Sequence, residues 1–150
     1  MACPYFMPTN KLEGGGFQHP SRLPLGAGWY GLCCAQGTEQ ISPNENEVRE
    51  FCNMGYALKC SRLPSMREWD AVRFSVVRDW RSHLSLQYVC EINHIPSEHG
   101  KLEYDVTEAK WTASHNNARV QKMAECYVEA YLLRQSRTIC PTNSSDGAIA

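Results

Sequence analysis

The sequence lacks the features that mark membrane-spanning and nucleic-acid-binding proteins. No stretch approaches the roughly 20 consecutive apolar residues that a membrane-spanning helix needs. The formal net charge is -1, and basic and acidic residues alternate along the chain. Neither nucleic acid nor membrane insertion is therefore expected. We expect a protein partner or a redox partner instead.

A secretory leader is also missing from the first residues. Met1 to Phe6 contain neither the basic stretch nor the apolar run of a signal peptide. We therefore expect a cytoplasmic location, where thiols are normally kept reduced. In an exported chain, the even number of eight cysteines would indicate a disulfide framework, and disulfides stay open as a third alternative.

Motifs for nucleotide binding and for a nucleophilic serine are missing too. Gly14-Gly15-Gly16 has no strand before it, no helix after it and no Gly-Lys-Ser/Thr ending. No Gly-x-Ser-x-Gly elbow occurs in the chain. The sequence therefore predicts no catalytic residue and no substrate, and it favours a protein that is not an enzyme.

The pattern of the chain predicts one α+β domain over residues 1–140. Residues 1–64 form its cysteine-rich, metal-binding part, and residues 65–140 form an antiparallel sheet with a helix. Residues 141–150 are small and polar, which predicts a disordered tail. A chain of 150 residues is long enough to build one core without disulfides.

The N-terminal part is rich in glycine and proline but also carries bulky side chains. That density predicts a long ordered loop over residues 1–41, because glycine and proline interrupt helices and strands. A short helix follows, with Ser42 as its capping residue, Pro43 in its first turn and Glu45 as the reciprocal cap. Gly55 is the expected end of this helix.

The second part alternates between apolar and polar residues as strands do, and then changes to a helical period. Asp79 to His83 is expected to join the first two strands, and a loop through Pro96 and Gly100 to lead to the third. The resulting fold is a three- to four-stranded antiparallel meander closed by a C-terminal amphipathic helix. We expect strands over 71–79, 84–92 and 102–106, a fourth strand around Trp111, and a helix over about 116–135.

The eight cysteines divide into two groups by their surroundings. Cys90 lies on the apolar face of a predicted strand and Cys126 beside the apolar stripe of the last helix, so both are expected in the core. Cys140 opens the predicted tail. The other five lie in or beside the irregular part, where a cross-link or a metal would compensate for missing regular structure. They are Cys3, Cys33, Cys34, Cys52 and Cys60.

The spacing of these five cysteines favours an iron–sulfur cluster over zinc. Structural zinc usually takes cysteines in close pairs, and the sequence contains no Cys-x-x-Cys. A cluster accepts thiolates from separate loops, and four cysteines are its usual ligands. We therefore expect a 4Fe-4S cluster, with 2Fe-2S or zinc as the alternative. Its predicted ligands are Cys3, Cys34, Cys52 and Cys60. Cys33 and Cys34 are not both expected to bind, because neighbouring side chains in extended backbone point apart. We take Cys34 as the ligand and Cys33 as spare, and the sequence leaves the choice between them open.

Such a cluster would serve electron transfer, or act as a structural or sensing element of a larger assembly. Two other hypotheses stay open. One is a zinc-stabilised interaction module without a redox role, and the other is a thiol-redox protein that uses Cys33 and Cys34.

Two further sets of residues are candidates on weaker signals. His94, Glu98 and His99 share one predicted loop, although their spacing fixes no geometry. His19 could replace a cysteine as a cluster ligand. An apolar shell for the cluster, or simply core packing, is expected from the aromatic residues Trp29, Tyr30, Phe51 and Tyr56.

Overall fold

The computed structural model describes residues 1–13, 17–37 and 39–138 of the chain. It has the expected α+β class, with a two-stranded and a four-stranded antiparallel sheet and a C-terminal helix. The predicted tail over 141–150 lies outside the described residues, as does Cys140. None of the helices in the described part of the chain has the length and apolar character needed to cross a bilayer.

The N-terminal part contains two strands where the sequence predicts only a loop. Strands β1 (Phe6–Lys11) and β2 (Trp29–Cys33) pair antiparallel. Proline is tolerated here because a two-stranded sheet consists of edge strands only, and the register shifts beside Pro8. Gly31 is required by close approach, since a Cβ there would lie 2.2 Å from the carbonyl oxygen of Met7.

The helical segment after β2 is shorter than predicted and begins later. Helix α1 (Glu45–Glu47) continues directly into a π-helical turn over Val48–Cys52. Asn44 caps it, because the Asn44 side chain accepts a hydrogen bond from the Glu47 backbone N–H at 3.0 Å. The expected cap at Ser42 is therefore wrong. The capping residue and its acidic partner lie two positions further along the chain.

The predicted meander is confirmed as a four-stranded sheet in the order β3-β4-β5-β6. Its antiparallel strands are β3 (Ala71–Asp79), β4 (His83–Ile92), β5 (Ile95–Asp105) and β6 (Lys110–Ala113).

The expected loop through Pro96 and Gly100 is wrong, because both residues belong to β5. Asn93 and His94 make the turn alone, with φ angles of 51° and 63°, as in the tight hairpins whose twist matches the strands. Strand β6 pairs only with Glu103 to Asp105 of β5. Pro96 therefore lies on a part of β5 that has β4 on one side and no described strand on the other. The N–H that proline lacks removes no hydrogen bond between strands there.

The C-terminal helix α2 (Ala118–Thr138) confirms the predicted helix and packs against β1 and β3. It therefore contacts both sheets, and one core cluster joins the two parts of the chain. Cys90 and Cys126 are buried in that cluster, as expected. From the two sheets and the helix, the core includes Phe6, Trp29, Val72, Leu86, Leu102, Val120 and Met123.

A buried asparagine fastens the π-helical turn to β2. The Asn53 side-chain oxygen accepts from the backbone N–H of Trp29, and its amide group donates to the carbonyls of Trp29 and Val48, all at 3.0 Å. Asn53 is 1% exposed, so these three backbone groups have little access to water. The side chain satisfies them and fixes the position of Cys52 next to it.

Replacing Asn53 by alanine is expected to lower the free energy of unfolding by about 3 kcal/mol, because buried backbone groups lose their partners. Asn10→Ala changes an exposed asparagine on β1 and is expected to stay within about 0.5 kcal/mol of the unchanged protein. Urea unfolding of the reduced, metal-free protein measures both. Equal midpoints for the two variants would contradict the role given to Asn53.

Candidate functional site

Four cysteines from four separate segments line one small cavity. Cys3 precedes β1, Cys33 ends β2, Cys52 ends the π-helical turn, and Cys60 lies in the turn that follows. The cavity has a volume of about 20 Å³. Its other lining residues are mostly apolar or aromatic: Tyr5, Phe6, Ala35, Phe51, Ala57 and Leu63, with Glu47 and Arg62 as the charged pair.

Backbone hydrogen bonds hold the first two cysteines in place. Ala2 and Val72 exchange two backbone hydrogen bonds, of 2.6 and 2.9 Å, which attach the residue before Cys3 to the edge of the four-stranded sheet. Cys33 exchanges two with Ile41, of 2.7 and 3.1 Å. Each cysteine is therefore held by extended backbone that is paired to a distant part of the chain.

The other two cysteines are held by tight local structure. Asn53 fixes the end of the π-helical turn beside Cys52, and the Cys60 N–H donates to the Ala57 carbonyl at 2.9 Å. Between them, the Gly55 N–H donates to the Met1 carbonyl at 2.6 Å. This bond brings the segment that carries Cys60 beside the one that carries Cys3.

Three of the four predicted ligands line the cavity, namely Cys3, Cys52 and Cys60, and the fourth place is taken by Cys33. Cys34 is not among the lining residues. Only one of two neighbouring side chains is expected at the cavity, because neighbours in extended backbone point to opposite sides. The pairing of Phe6 with Cys33 places Cys33 on the cavity side, and the sequence carries no signal of that register.

The thiols of Cys3 and Cys52 hold their protons more tightly than free cysteine does. Burial raises the pKa of Cys3 to about 11, and the nearby Cys33 and Cys60 act in the same direction. Burial raises the pKa of Cys52 to about 12, followed in effect by Cys3, Cys33 and Cys60. Both side chains are therefore neutral thiols at pH 7, which makes them weak nucleophiles.

The backbone after Cys3 partly opposes the effect of burial on its thiol. The N–H groups of Tyr5 and Phe6 lower the pKa of Cys3, although burial outweighs them. Such donors stabilise a thiolate more than a thiol. The loop after Cys3 is therefore suited to a sulfur that carries negative charge.

An ion pair also lines the cavity. Arg62 contacts Glu47 through its Nη1 atom, and both side chains are 24% exposed. The hydrogen bond to Glu47 raises the pKa of Arg62, and Cys33 and Cys60 add to that effect. The guanidinium therefore lies at the same cavity as the four thiols. Sequence reasoning missed this pair, because no spacing links position 47 to position 62.

The other candidates from the sequence do not come together. His94 stacks on Tyr56 with the ring centroids 4.0 Å apart, and Glu98 accepts hydrogen bonds from Tyr88 and His115. His19 begins the 3₁₀ turn Pro20–Arg22 and is not a lining residue of the cavity. Within residues 1–13, 17–37 and 39–138, no group of three or more His, Cys, Asp or Glu side chains is arranged to hold a metal ion.

The expected aromatic shell is only partly found at the cavity. Phe51 lines it, whereas Trp29 is in the core and Tyr30 is 43% exposed. Tyr5 and Phe6 complete the lining instead. Their position directly after Cys3 is the signal that could have identified them.

The raised pKa of Cys52 predicts a loss of stability in alkali for the reduced, metal-free protein. From about pH 9 to about pH 12 the unfolded chain releases a proton that the folded protein keeps, so the free energy of unfolding falls as pH rises. In Cys52→Ala, the free energy of unfolding is expected to fall less steeply with pH, by about 1.4 kcal/mol per pH unit. Val48→Ala also truncates a buried side chain and is expected to keep the original slope. Urea unfolding at several pH values measures the free energy of unfolding of each variant. The same dependence on pH in Cys52→Ala and in the unchanged protein would refute the raised pKa of Cys52.

No protein-family model, curated protein or solved structure matches this chain. What it does must therefore be inferred from its own side chains. The four thiols around one cavity, with a charged pair beside them, are the arrangement from which we infer it.

Proposed function

We propose that this chain binds an iron–sulfur cluster through Cys3, Cys33, Cys52 and Cys60. The observation that carries the proposal is that four thiols from four separate segments line one apolar cavity. Four cysteine thiolates are the usual ligands of such clusters. Cys33 replaces Cys34 in the predicted ligand set because it is the member of the pair that lines the cavity.

The separate origins of the four cysteines favour a cluster over a single zinc ion. Zinc needs all of its sulfurs at about 2.3 Å from one point, which close pairs of cysteines usually supply. A 4Fe-4S cluster offers each thiolate its own iron, so the ligands do not have to meet at one point. The N–H groups of Tyr5 and Phe6, which lower the pKa of Cys3, also suit a ligand whose charge is shared with a cluster.

Binding requires the thiols to lose their protons and the cavity to widen. A volume of about 20 Å³ holds roughly one water molecule, so the cysteine side chains have to turn outward to admit a cluster. Cys3, Cys33 and Cys60 are only partly buried, which leaves their side chains room to move. Metal binding then offsets the cost of deprotonation, and its free energy adds to the stability of the fold.

The proposed role is electron transfer, or a structural or sensing part in a larger assembly, with a protein or redox partner in the cytoplasm. The reducing cytoplasm suits four unpaired thiols. Thiol-redox chemistry through Cys33 and Cys34 is disfavoured, because burial raises the pKa of the Cys34 thiol and keeps its reactive thiolate scarce at neutral pH. A zinc-stabilised module would use the same four cysteines and is distinguished by its lack of colour.

Two neighbouring variants test the ligand set. Cys33→Ser is expected to lose most of the bound iron and sulfide, because it removes one of the four thiolates. Cys34→Ser is the matched control and is expected to keep them. After anaerobic reconstitution with ferrous iron and sulfide, iron and sulfide analysis and the visible absorption that dithionite bleaches measure the cluster.

Cys52→Ser and Cys60→Ser are expected to behave as Cys33→Ser does, and Cys90→Ser to retain the cluster because Cys90 is in the core. Equal iron and sulfide content in all of these variants would contradict the proposed ligands. A colourless protein that takes up zinc in place of iron would establish the zinc-stabilised module.

A further inference from the structure

The ion pair of Arg62 and Glu47 is the only charged pair among the side chains that line the described cavity. Each side chain is 24% exposed, so water screens the pair less than it screens a surface pair. Both charged side chains line the same cavity as Cys3, Cys33, Cys52 and Cys60. One positive and one negative charge therefore lie beside the four proposed ligands.

We propose that Arg62 raises the reduction potential of the cluster and that Glu47 opposes it. The inference rests on the proposed function. A cluster held by four thiolates gains one negative charge when it accepts one electron, and no bond to the protein forms or breaks. A nearby positive charge stabilises the reduced state more than the oxidised state, and a negative charge does the reverse. Net charge and hydrogen bonds to the sulfurs are the factors that set cluster potentials.

A second ion pair in the same helical segment provides a comparison. Arg49 contacts Glu45 at 2.6 Å, with side chains that are 39% and 61% exposed. Neither residue lines the cavity. The two pairs have the same chemistry, but only the pair of Arg62 and Glu47 lines the cavity, and its side chains are less exposed. A property of the cluster that depends on nearby charge therefore distinguishes them.

The test is the reduction potential of the reconstituted protein, measured at one pH by titration with an electrode and mediators that supply the electron. Arg62→Gln is expected to shift the potential to a more negative value, and Glu47→Gln to a more positive one. Arg62→Lys keeps the charge and is expected to stay near the original potential. Arg49→Gln and Glu45→Gln, the controls, are expected to leave it unchanged.

Opposite shifts for Arg62→Gln and Glu47→Gln support the proposal, because loss of the ion pair as a purely structural contact would move both variants in the same direction. Equal shifts, or shifts no larger than those of the Arg49 and Glu45 controls, would overturn it. If Arg62→Gln does not take up a cluster, Glu47→Gln alone decides. A reduction potential in Glu47→Gln that is not more positive than that of the unchanged protein would overturn the proposal. An unchanged protein that binds no iron and sulfide would refute the proposed function itself, which is a separate outcome.

Discussion

The two backbone hydrogen bonds between Ala2 and Val72 hold the two parts of the chain together at the site. They attach the N-terminal segment to the outer edge of β3, which would otherwise be unpaired at this point in the described structure. Ala2 is fully buried there, and Cys3 follows at once. Gly55 packs on this segment and on β3, since a Cβ at that position would lie 3.2 Å from the carbonyl oxygens of Met1 and Ala2 and 2.5 Å from the Cβ of Ala71. The close approach that brings Cys60 beside Cys3 therefore depends on a residue without a side chain.

The same geometry determines the charge state of the site. Thiols are tolerated in an apolar cavity because they are neutral there, and burial keeps the pKa of Cys3 and Cys52 at about 11 and 12. Four thiolates without a metal would repel one another and lose their hydration. Iron or another cation would replace the protons and remove that cost, and Arg62 would offset part of the charge that remains. Under the proposed function, metal binding is therefore an exchange of these protons for metal.

Much of the fold could be predicted from the sequence, because the strands of the second part and α2 bury one face each and show it as a period. The failures have local causes. β1 and β2 were missed because Pro8 and Gly31 interrupt strands in most settings, and only the close approach of two edge strands makes them acceptable here. β5 was predicted too short because the left-handed turn at Asn93 and His94 contains no glycine.

The sequence allows the candidate residues of the site to be predicted, but not which of them come together. The positions of the cysteines and the lack of regular pattern around them show that five lie in or beside the irregular part. Which of Cys33 and Cys34 faces the others depends on the pairing of β2 with β1, and a shift of one residue would exchange them. The positions of Arg62 and Glu47 depend on the path of the chain between two short turns, which no periodicity records.

Burial alone does not distinguish a candidate ligand from a core cysteine in this chain. Burial raises the pKa of Cys90 and Cys126 to about 12, the same value as for Cys52. The difference lies in the neighbouring groups. Cys90 and Cys126 are near carboxylates and a lysine, whereas Cys52 is near three other cysteines as well as the carboxylate of Glu47. A single buried thiol is adequately explained as a small apolar side chain. Four thiols that line one cavity are a grouping that core packing alone does not predict, and the proposed ligand set rests on that grouping.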